Sequence, residues 1–127
     1  MTEREEFQYA VWRVVPRVER GECFNAGVVL FCRRRRFLQA RVRLDEAKLR
    51  ALSPDCDAAE IARHLDTLAR VAAGEPDAGP MARAEQSERF HWLVAPSSTV
   101  VQPSPVHTGL AEDPQVALDA LFEKLVA

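Results

Sequence analysis

Residues 20–31 read RGECFNAGVVLF, and this stretch decides the fold. Its second half is an unbroken apolar run of strand length, the pattern of a strand buried on both faces. Its first half sets Glu22, Asn25 and Gly27 at or just before the start of that strand. A carboxylate and an amide so close to a core strand are costly unless something satisfies them. Gly27 within the run predicts a bulge or the close approach of another backbone. Gly21 suits a turn at positive φ.

Upstream, 7–15 reads as a strand with two apolar faces. Phe7, Tyr9, Val11 and Val15 lie on one, and Ala10, Trp12 and Val14 on the other. Pro16 ends it, and Arg17 to Gly21 form a turn. Residues 1–6 are polar and charged, an expected disordered lead-in to a single domain over 7–127. Downstream, the strand over 24–32 passes through Arg33, Arg34, Arg35 and Arg36 into a third strand over 37–43. There Leu38, Ala40, Val42 and Leu44 point one way, and Phe37, Gln39, Arg41 and Arg43 the other. That alternation belongs to an antiparallel sheet with one face in the core.

Helical signals follow. A short helix is expected from Asp45 to Leu52, stopped by Pro54. A longer one spans 57–73, with Asp57 as N-cap, the stripe Ile61, Leu65, Leu68 and Ala72, and Gly74 as C-cap. GEPDAGP over 74–80 is a loop. Phe90–Val94 and Thr99–Gln102 read as strands, and PSPVHTG over 103–109 as a loop. Asp113 caps a last helix with Pro114 at its first position and a face of Ala117, Leu118, Leu121, Phe122 and Leu125. The order βββ–αα–ββ–α predicts an α+β domain. Its sheet is mostly antiparallel, of about five strands, with the helices packed on one face.

The chain has 127 residues, enough to bury a core without metal or disulfide. Cys23, Cys32 and Cys56 follow no ligand spacing, and their odd number, with no signal peptide, predicts a reducing cytoplasm. Cys23 and Cys32 are expected to be buried thiols. No apolar run approaches about 18 residues, so no membrane span is expected. The net charge of −2 is unevenly placed: 12 Lys/Arg against 7 Asp/Glu in residues 1–52, and 5 against 12 in 53–127. The two halves either neutralise each other within the fold or leave a basic face for an acidic partner.

No pair among His64, His91 and His107 has metal-ligand spacing, so neither metal nor cofactor is expected. Ser97, Ser98, Thr99, Ser104 and Thr108 lie near His91 and His107 in sequence. There is no nucleophile elbow and no glycine-rich phosphate loop. A Ser–His pair needs an orienting third group, and only Glu22 and Asp113 offer one. The plainer expectation is that these hydroxyls satisfy backbone groups in a proline-containing loop. Glu22 and Asn25 are expected to pair with Arg89, Ser98 or Gln102. His107 is expected to reach the sheet near residues 21–27 and to titrate with Glu22 or Asp113. The run Arg33–Arg36, with Arg41 and Arg43, is the candidate anion-binding set.

Three segments carry a resemblance: YAVWRVVPRVERGECFNAGVVLF at 9–31, RFHWLVAPSSTVVQPSPVHTG at 89–109 and DPQVALDALFEKLV at 113–126. In order and spacing they are similar to the bacterial family catalogued as domain of unknown function 3037. Pro16, Arg20, Gly21, Glu22, Asn25, Gly27 and Val28 fit its first segment. Ser97 stands where the family commonly has an arginine after the Ala-Pro pair. The resemblance implies a small bacterial cytoplasmic protein, with a HipA-like kinase as a possible partner because members are often encoded beside such kinases. It supplies no catalytic residues.

The leading expectation is therefore a non-enzymatic protein-interaction module. One rival is an enzyme or small-ligand binder with a polar site of Glu22, Asn25, His91, Gln102 and His107, extended by Gly27, Arg89, Ser98 and Ser104. Another is a nucleic-acid binder acting through the arginine hairpin. Whether those polar groups converge decides between them.

Overall fold

The computed structural model describes residues 3–127. Three strands, β1 (Glu5–Val14), β2 (Phe24–Cys32) and β3 (Phe37–Val42), form an antiparallel meander in the order β3-β2-β1. The outer edge of β1 is shared end to end by two short antiparallel strands. Residues Trp12–Val14 pair with β4 (Val101–Pro103), and Glu5–Tyr9 pair with β5 (His107–Ala111). With four α-helices among the described residues, this is the α+β domain that the pattern predicts. β1 begins earlier than expected, because Glu5 and Glu6 pair with Ala111 and Leu110. Of the expected lead-in, residues 1–2 lie outside the described residues.

Gly27 behaves as its position predicts. The β1–β2 register slips between Trp12, which faces Gly27, and Arg13, which faces Asn25, so Ala26 is the extra residue of a bulge. A Cβ on Gly27 would stand 2.9 Å from both Trp12 Cε3 and Val42 Cγ1, and 3.2 Å from the Arg41 carbonyl oxygen. Only glycine lets the three strands close there.

The sheet is covered on both faces. On one, Ala10, Trp12, Val14, Val29, Phe31 and Leu38 pack against helices α2 (Ala58–Ala73) and α3 (Gln86–Leu93). On the other, Phe7, Val28, Leu30 and Cys32 pack against Leu118 of helix α4 (Pro114–Leu125). The expectation of all helices on one face is thus corrected. β2 is apolar on both sides, and each side needs its own cover.

Caps fall where the sequence puts them. Asp57 Oδ1 accepts the Glu60 amide at 3.1 Å, and Gly74 takes the left-handed conformation at the end of α2, with φ 76°. Asp113 Oδ1 accepts the Gln115 amide at the start of α4. Asp45, expected as the first residue of α1 (Glu46–Leu52), is instead its N-cap. Two expectations fail. Phe90–Val94 is not a strand but the end of α3, because Arg89, Phe90 and Leu93 make a buried helical stripe and Phe90 stacks on Phe31 with centroids 5.2 Å apart. Packing overrides the strand preference of the aromatic residues. The 103–109 stretch is not all loop, since β5 starts at His107. Cys32 is buried as expected, but Cys23 is exposed, one residue before β2 begins. Among the described residues no helix is long and apolar enough to cross a membrane.

Candidate anion-binding cleft

The polar residues singled out in the sequence do not meet in one place. Glu22 is exposed and pairs with Arg20 two residues away. Arg20 donates to the Glu22 carboxylate and holds its pKa below the usual carboxylate range, by hydrogen bond first and by charge second. Asn25 Nδ2 donates to the Leu125 carbonyl at 3.0 Å, fastening the start of β2 to the end of α4. Neither residue bonds to Arg89 or to the 97–104 segment, which corrects the expected network. The cause is the placement of α4 on the far face of the sheet, which brings its carbonyls to Asn25.

The remaining members serve the backbone. Ser104 is buried in the gap between β4 and β5, along the same edge of β1. Its Oγ accepts the Val11 amide and donates to the Pro105 carbonyl, each at 2.9 Å, and its own amide reaches the Val11 carbonyl. Gln102 Nε2 donates to the Thr99 carbonyl. Ser98 is exposed in the loop before β4. His91, exposed on α3, donates from Nδ1 to the Ser87 carbonyl at 2.7 Å. His107 reaches the sheet, pairing with Tyr9 with the two ring centroids 5.3 Å apart, but at the level of Leu30 and not at the 21–27 entry as expected. It is exposed and bonds to neither Glu22 nor Asp113.

The candidate anion-binding set divides. Arg41 is committed: it meets Asp119 at 3.1 Å and lies 4.2 Å over the Phe122 ring, both on α4. Arg43 is exposed just past β3. Arg33, Arg34, Arg35 and Arg36 are exposed at the β2–β3 hairpin tip, as the sequence predicts. Arg34 and Arg35 turn back to the start of β1, toward Glu5 and the Glu3 carbonyl. Arg33 and Arg36 turn the other way. With Phe31, Glu85, Gln86, Ser87 and Arg89 they line a cleft of about 490 Å³.

That cleft unites one residue of the polar set with two of the basic set. The hairpin tip is held over α3 by Gln86 Nε2, which donates to the Arg36 carbonyl at 2.7 Å. Arg36 itself sits at φ +50°, a left-handed turn that a long side chain rarely adopts. Arg33 lies over Phe31, 5.6 Å from the ring centroid. At the base, Arg89 is only 9% exposed. Its Nη1 donates to the Ala84 carbonyl at 2.7 Å and its Nη2 to the Ala72 carbonyl at 3.3 Å. Its Nε is the single buried side-chain nitrogen or oxygen without a partner among the described residues. Burial lowers its pKa, and no described carboxylate pairs with it. Glu85 precedes α3 without a capping bond from its side chain, so the first-turn amides keep their donors for another acceptor.

The cleft thus holds three guanidinium groups against one carboxylate and an open helix N-terminus, a combination suited to an anion. Two other hollows, of about 340 and 320 Å³, adjoin each other at His64, Thr99 and Val101 and contain no member of the Glu22/Asn25 polar set or of the arginine set. Glu85, Gln86 and Ser87 escape the sequence reading because the stretch through Glu88 carries no strong periodicity and Phe90–Val94 reads as a strand, which hides the helix. The usable signal was Glu85-Gln86-Ser87-Glu88 ahead of Phe90 and Leu93 at helical spacing. No curated protein and no solved structure matches the chain. Residues 9–126 match the family described as a protein of unknown function, DUF3037, and with nearly its whole length matched the chain belongs to that family.

Proposed function

We propose that the protein is a non-enzymatic recognition module of the bacterial cytoplasm, which receives an acidic group of its partner in the Arg33/Arg36/Arg89 cleft. The observation that carries this reading is Arg89: a buried cation that lines the same cleft as Arg33 and Arg36, bonded only to the Ala84 and Ala72 carbonyls, with Nε unpartnered and no carboxylate paired to it. A buried charge left this way is costly, and an incoming anion would offset that cost. The separation of His91, His107, Glu22 and the loop hydroxyls supports recognition over catalysis, since a Ser–His device needs them in contact. The partner proposed first is a HipA-like kinase, on the strength of the family association.

The test is calorimetric titration of such a kinase from the same genome into the intact protein. Affinity should fall with rising salt and be lost in the Arg33→Ser/Arg36→Ser double variant. Binding that survives both removes the cleft from the proposal. No complex at all removes the kinase.

A further inference from the structure

The cleft has a charge and a shape that narrow the ligand further. A carboxylate is a planar monoanion, and one guanidinium fork satisfies it. Here Arg33 and Arg36 approach from the hairpin tip, Arg89 stands at the base, and the opening turn of α3 adds backbone donors beside Gln86 and Ser87. Subtracting Glu85, the lining carries two net positive charges. Donors on several sides and a double positive charge match a tetrahedral dianion better than a planar monoanion.

The patch also ends quickly. Arg41 is taken by Asp119 and Phe122, and Arg34 and Arg35 are drawn to the start of β1. A nucleic-acid backbone presents a row of singly charged diesters and needs a row of cations. The structure offers one concentrated site instead.

We infer that the cleft is a phosphate-monoester site, in which Arg33 and Arg36 clamp the outer oxygens, the α3 amides donate to the inner ones, and Arg89 supplies fixed positive charge beneath. This rests on the recognition reading above and names the chemistry of the acidic group. Glu85 is the opposing charge at the rim and limits affinity.

Phenyl phosphate, benzoate and oligothymidylate are titrated into the intact protein by calorimetry. Phenyl phosphate should bind about tenfold or more tighter than benzoate, since charge-assisted bonds to the extra oxygen and charge are each worth that much. Its affinity should fall as pH drops through about 6, where the monoester gains a proton and loses one charge. Arg33→Ser/Arg36→Ser, both at exposed positions, should lower the affinity about tenfold or more, and Glu85→Gln should raise it. Circular dichroism confirms that the variants are folded. A phosphoserine hexapeptide separates the carriers: tighter binding than phenyl phosphate assigns a polypeptide, equal binding a small metabolite, and both support the monoester. Equal affinities for benzoate and phenyl phosphate, both weakened by the double variant, overturn the monoester and leave the recognition reading standing. Tighter binding of oligothymidylate overturns the monoester in favour of a nucleic acid. Phenyl phosphate binding that ignores the double variant, or no binding of any anion, overturns both.

Discussion

Around the start of β2 and along the outer edge of β1 the polar side chains are used up by the fold, whereas the cleft between the hairpin tip and α3 leaves positive charge unanswered. Asn25 and Ser104 complete the hydrogen bonding of backbone groups that would otherwise go unpaired. Glu22 answers Arg20. In the cleft, Arg33 and Arg36 line the same space, and Arg89 beside them donates to two backbone carbonyls yet keeps Nε unpartnered and its charge unanswered by any described carboxylate. A polar residue beside a core strand therefore has two meanings. The difference is whether its charge and all its donors are answered within the same chain.

The comparison breaks most sharply at Gly27. If the β2 region is built for closure, Gly27→Ala drives a methyl into Trp12, Val42 and the Arg41 backbone and destabilises the protein by about 1–3 kcal/mol in urea denaturation. A neutral result would mean that the strands have room there and that the glycine serves a ligand. Next comes Asn25→Ala, which leaves the Leu125 carbonyl without its donor and should cost about 1 kcal/mol, with anion binding unchanged. Lost binding at unchanged melting temperature would move Asn25 from the structural group to the functional one.

Changing Arg33, Arg34, Arg35 and Arg36 together to Ser tests the other side. Each site is exposed, so each change should stay within about 0.5 kcal/mol by thermal melting while anion binding is lost. A large fall in stability would show that the tip holds the fold. The smallest effect is expected at Arg20. The folded pKa of Glu22 is depressed, so whatever stability the pair contributes is present above the ordinary carboxylate pKa and is lost as pH falls through the folded value. For an exposed pair this contribution is slight. Arg20→Ala should raise the Glu22 pKa toward the usual range in an NMR titration, with the melting curve unmoved.

The meander, the glycine bulge and three helix caps were legible because each is a local matter: period-2 alternation, a missing Cβ, an Asp before an apolar stripe. The sequence also told that β2 is apolar on both faces. It did not tell that the last helix takes one face alone, because that choice depends on where the chain returns after 111. The aromatic triplet Phe90, His91 and Trp92 misled for a related reason. Strand preference is read locally, but Phe90 is fixed by Phe31 nearly sixty positions earlier in the chain. The cleft was half legible. Arg89 and the arginine run were each marked as candidates, yet they were assigned to different sites. Only the turn of α3 under the hairpin joins them.

The two-sided burial of β2 has a consequence for biosynthesis. Val28, Leu30 and Cys32 are covered by α4, which starts only at Pro114. While the chain is being made, the meander, α2 and α3 all emerge before that cover exists. One face of the sheet is then a bare apolar surface until α4 has left the ribosome. Nascent chains with such surfaces are the ones that associate wrongly or engage chaperones. A stop codon before residue 114 would do more than shorten the protein, because it would release a half-covered sheet. Helix α4 thus acts as the latch of the sheet's second face, and Asn25, donating to the Leu125 carbonyl, is the catch on which it shuts.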